Sequence, residues 1–122
     1  MTSEGVQPAA DGGQTCGIDV HLFISLLRKR DIRQARALLE GKAISGEFEI
    51  GFFRALGGAV SAVESGQAFS PVWKLLENPP DGEFLGRLER DIQEHLSKPF
   101  ISERERGYFT AWLSLIRSVR SS

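Results

Sequence analysis

Five cations crowd into one short stretch: Arg28, Lys29, Arg30, Arg33 and Arg36. Arginine outnumbers lysine 11 to 4 in the whole chain, and the planar guanidinium fork suits phosphate and carboxylate alike. Arg33 and Arg36 stand three apart, a spacing that shares one face of a helix, and Arg30 joins them across a turn. The chemistry available to such a patch is binding of RNA or DNA phosphates, or of an acidic protein segment. The plainer alternative is a solvated or internally paired face. No recognition-helix motif or aromatic stacking platform accompanies the cluster, so nucleic acid is the second reading rather than the first.

Other reactive residues are sparse. His21 and His95 lie far apart, with no second His or Cys at ligand spacing, so no metal site is expected. Cys16 is the single cysteine, which excludes an intramolecular disulfide and fits a reducing compartment. Its Gly-rich surroundings give no frame for a thiolate nucleophile. Glu49 and Glu105 each precede a Gly-aromatic pair. Brought together in an apolar site they would shift each other's pKa and act as acid and base; apart, each stabilises the N-terminus of its own helix. The second arrangement is expected. The glycines form no phosphate-binding fingerprint, and no cofactor or small-molecule substrate is expected.

Those two glutamates belong to a longer echo. Moved back 56 positions, Gly107-Tyr108-Phe109 falls on Gly51-Phe52-Phe53, Ala111 on Ala55 and Val119 on Val63. Arg90-Asp91-Ile92 repeats Arg30-Asp31-Ile32 at an offset of 60. The pattern reads as a degenerate internal duplication of a helical unit. Adjacent aromatics on a helix point about 100° apart, so one of each pair faces the core and the other an edge. Phe53, Trp73, Phe109 and Trp112 are the candidate apolar contacts for a protein partner or a homodimer.

The elements that must carry these residues follow from period and punctuation. Asp19 caps a first stripe of Val20, Phe23, Ile24 and Leu27. Asp31 with Gln34 reads as a capping box before Ile32, Ala35, Leu38 and Leu39, with Gly41 as the stop. This segment, Leu26 to Gly41, resembles the hairpins of tetratricopeptide-like solenoids in its aspartate and Ala-containing helix. The resemblance covers one unit and lacks that repeat's Trp, Gly and Pro positions. Ser45 or Gly46 opens a third helix through Phe48, Phe52, Ala55, Leu56, Ala59, Val60 and Val63, ending at Gly66. Gly51, Gly57 and Gly58 inside it are expected to let another helix approach closely. Ser70-Pro71 starts a short helix that stops at Asn78-Pro79-Pro80, the boundary between the units. Asp81 opens the next, and the Ser102/Glu105 capping box opens the last.

The expectation is an all-α fold, a small bundle or short solenoid of about five to six helices. Residues 1–17 read as a disordered leader and 18–122 as one domain, in units of roughly 18–78 and 81–122. Charge is segregated, +4 over residues 20–45 and −4 over residues 77–95, within a net of −1. No secretory leader and no apolar run long enough for a membrane is visible, so the chain reads as soluble and cytoplasmic. The functional expectation is a non-catalytic interaction, scaffold or adaptor module.

Overall fold

A computed structural model describes residues 15–121 and contains six helices. They are α1 (Val20–Arg28), α2 (Ile32–Leu39), α3 (Glu47–Ser65), α4 (Val72–Leu76), α5 (Gly82–Leu96) and α6 (Glu103–Arg120), with no strand among the described residues. Their ends obey the capping chemistry of the sequence. Asp19, Asp31 and Asp81 each accept the backbone N–H three residues on, from Leu22, Gln34 and Phe84. Ser102 and Glu105 form the full reciprocal capping box. At Asp31 the box is half made, because the Gln34 side chain returns no bond among the described residues. Gly66 takes the left-handed conformation that stops α3, at φ 68°, whereas α2 already ends at extended Glu40, ψ 151°, one residue before Gly41 at φ 77°.

Two glycines set the central packing. A Cβ on Gly51 would fall on the Arg104 carbonyl oxygen, with the Tyr108 nitrogen 3.0 Å away. A Cβ on Gly107 would fall on the Phe48 carbonyl oxygen, with the Phe52 nitrogen 3.0 Å away. The contact is reciprocal: each partner in one half stands 56 positions from its counterpart in the other. Helices α3 and α6 therefore cross backbone to backbone about a local twofold, and they share the most extensive contact in the fold. Arg104 pairs across the crossing with Glu47 at 2.9 Å. At Gly57 and Gly58 the expectation of a close helix is not met: an added Cβ would meet nothing within 4 Å at either.

The other helices cover this pair. α1 buries Phe23, Ile24 and Leu27, and α2 lies along α3 with Arg36 on Glu64 at 2.7 Å. α5 packs on α6, where Glu89 receives both Arg117 and Arg120. One apolar cluster runs through all six helices, from Ile18 to Val119. Residues 1–14 of the predicted leader lie outside the described residues, but Thr15–Ile18 is a packed turn closed by the Ile18 N–H on the Thr15 carbonyl at 2.9 Å. Ile18, the first residue of the expected domain, is buried, and Cys16 of the expected leader is partly buried against the core.

Candidate functional site

An apolar groove of about 780 Å³ opens between α3, α5, α6 and the loop before α4. Its α3 wall is Ala55, Gly58 and Ala62, small residues at helical spacing that keep the wall low. Leu88 and Ile92 of α5 form the facing wall, and Tyr108, Phe109 and Trp112 of α6 form the remainder. The loop Gln67–Pro71 closes one end and carries Phe69 at the lip, 100% exposed. Phe69 and Phe100, 100% and 95% exposed, both stand in solvent, and Phe69 is the one that borders the groove; burying it would stabilise the chain by about 2 kcal/mol.

The predicted aromatic contacts divide. Phe109 and Trp112 line the groove, Trp112 through an edge of a ring that is otherwise buried. Phe109 lies tilted against His95, ring centres 4.3 Å apart and planes at 46°, and meets Tyr108 edge-on at 5.3 Å. Trp73 is held in place elsewhere, its indole N–H donating to the Gln67 carbonyl at 2.6 Å and its face covered by Arg30 at 5.2 Å. Phe53 does not line the groove; it is buried in the core, its ring edge-on to Phe52 at 5.7 Å. Both members of the Phe52-Phe53 pair face the interior, and in the second pair it is Tyr108, not the contact candidate Phe109, that is the more exposed, the reverse of the expectation.

The basic cluster is largely engaged within the chain. Arg28 donates to the Leu75 carbonyl at 3.3 Å, Arg30 covers Trp73, and Arg36 pairs with Glu64. Lys29 and Arg33 are exposed and have no polar partner among the described residues. Arg30 adopts φ 57° in the tight α1–α2 turn, which sends its side chain toward α4 instead of joining Arg33 and Arg36.

The repeated glutamates serve their own helices. Glu49 accepts from the Ser45 hydroxyl at 2.7 Å and the Ser45 N–H at 2.8 Å, and these bonds hold its carboxyl below the ordinary range. Glu105 accepts from the Ser102 N–H at 3.1 Å. Cys16 is held as a thiol, pushed up by burial and then by the charge of Glu49, so it is a poor nucleophile. Among the described residues no group of His, Cys, Asp and Glu could hold a metal ion. His95 keeps Nε2 enclosed without a hydrogen-bond partner, 3.9 Å from a Glu105 oxygen.

One pair escaped the sequence reading altogether. The Ser118 hydroxyl and His21 Nδ1 lie 3.1 Å apart although 97 residues separate them. They border a more polar cavity of about 740 Å³ with Asp19, Arg117 and Arg120. Both guanidiniums there are committed to Glu89, and Asp19 caps α1, so the pair ties α1 to α6 rather than completing a catalytic relay. No spacing in the sequence signals it. Among the described residues no helix is long and apolar enough to cross a membrane. Compared with protein families, curated proteins and solved structures, the chain matches none.

Proposed function

We propose that this chain is a non-catalytic protein-interaction module whose contact face is the groove between α3, α5 and α6. The observation that carries this reading is the conjunction of an open apolar groove with a wholly exposed Phe69 at its lip. Interface cores are enriched in such aromatic anchors, and an apolar patch of this kind is stabilised when a partner covers it. The two halves, crossing reciprocally at Gly51 and Gly107, read as related units that build the scaffold. A lone cysteine held as a thiol suits the cytoplasm, where we place the module.

The alternative, an accessory protein that binds nucleic-acid phosphates, has less support: Lys29 and Arg33 are what remains of its patch without an internal role. Photo-crosslinking tests the first reading. A benzoylphenylalanine at position 69, introduced in cells, should yield a discrete protein adduct that disappears when Gly58→Phe fills the groove. A control probe at exposed Arg87 should not yield it. An adduct absent at 69, or unchanged by Gly58→Phe, would refute the groove as the contact face.

A further inference from the structure

We infer that the α1–α2 turn is a contact site in its own right, apart from the groove, and that it takes a short acidic segment of a partner protein. Between residues 28 and 33 the chain sets Arg28, Lys29, Arg30 and Arg33, all exposed, against the single carboxylate of Asp31, which caps α2. Among the described residues no ion pair neutralises any of these four cations, whereas Arg36, Arg104, Arg117 and Arg120 all meet glutamates. Arg54 and Arg90 also lack an ion pair, but neither has another cation adjacent in sequence. The groups that hold two of the four are uncharged: the Leu75 carbonyl for Arg28 and the Trp73 ring for Arg30. Both belong to α4, so two guanidiniums are drawn to one short helix with their charge intact.

Arg30 stands where the fold alone would favour glycine. Its N–H bonds the Leu27 carbonyl and that of Asp31 bonds the Leu26 carbonyl, the helix closure that usually has glycine in the left-handed position. α3 ends on such a glycine, Gly66 at φ 68°, but α1 is followed by Arg30 at φ 57°, where any side chain is strained. The guanidinium held there meets no hydrogen-bond acceptor among the described residues, so its fork of donors is open to a carboxylate. Size and surroundings favour a peptide over a nucleic acid. Nucleic-acid sites commonly draw on about six to ten phosphate contacts, more than this turn can neutralise. The Trp73 face is already covered by Arg30, so no base stacks on it. Glu77 and Asp81, which share Lys74 of α4 between them, repel a longer polyanion.

The test is fluorescence anisotropy of the full chain with labelled hexaglutamate at about 150 mM salt, beside hexaglutamine and a single-stranded oligothymidylate. Saturable binding of hexaglutamate alone is expected. Lys29→Ala combined with Arg33→Ala should weaken it about tenfold, as should Arg30→Gly, while Arg90→Ala leaves it unchanged. Lys29 and Arg33 make no polar contact among the described residues and glycine suits the backbone at position 30, so these variants keep the fold, which circular dichroism checks. Hexaglutamate that fails to bind, binds no better than hexaglutamine, or is weakened equally by Arg90→Ala would overturn the inference. Tighter binding of the oligothymidylate, lost in the same variants, would assign the turn to nucleic acid and overturn it as well.

Discussion

The four glycines of the two long helices show how differently one residue type is used. Gly51 and Gly107 lie where backbone meets backbone, so a single methyl at either forces α3 and α6 apart. Gly51→Ala and Gly107→Ala should each destabilise the chain by about 2–3 kcal/mol in urea denaturation, the upper part of the range for overpacked sites. Gly57→Ala and Gly58→Ala meet open space and should stabilise by up to about 1 kcal/mol through helix propensity. A common sign across all four would refute the assignment. Glu89 makes the second residue-scale prediction. Burial raises its pKa, but hydrogen bonds and charge from Arg117 and Arg120 outweigh burial and hold the carboxyl below its ordinary value. A carboxyl depressed in the folded state contributes stability above its unfolded pKa, about 4.3, and loses it as pH falls through the folded value. Glu89→Gln should therefore cost about 1 kcal/mol at pH 7 and progressively less on acidification, read by urea melts across that range.

At the scale of the elements, capping decides where helices begin, and it was largely legible. Asp19, Asp31, Asp81 and Ser102 all accept the bonds that their positions imply. Ser102→Ala should lower stability by about 1 kcal/mol, more than an Ala replacement at exposed Ser97, which follows α5, and thermal unfolding would show the difference. Close helix approach at Gly51 was legible as well, since it lies against the Arg104 carbonyl of α6. What stayed hidden depends on which neighbour covers which face. Nothing local in Phe53 reveals that it is buried, and nothing in Arg28, Arg30 and Arg36 reveals that Leu75, Trp73 and Glu64 await them. The groove was illegible for the same reason. Its walls come from residues 55 to 112, which only the fold brings together.

At the scale of the molecule, α3 and α6 form a crossed central pair, with α1 and α5 packed on α6 and α2 on α3. The groove bounded by α3, α5, α6 and the loop before α4 carries exposed Phe69 at its edge, which suits it to contact with another protein. The most direct measurement is the yield of photo-crosslinked adduct from position 69 in cells, with and without Gly58→Phe. A discrete protein adduct that Gly58→Phe abolishes is expected; no adduct, or one that Gly58→Phe leaves unchanged, would contradict the groove as the contact face.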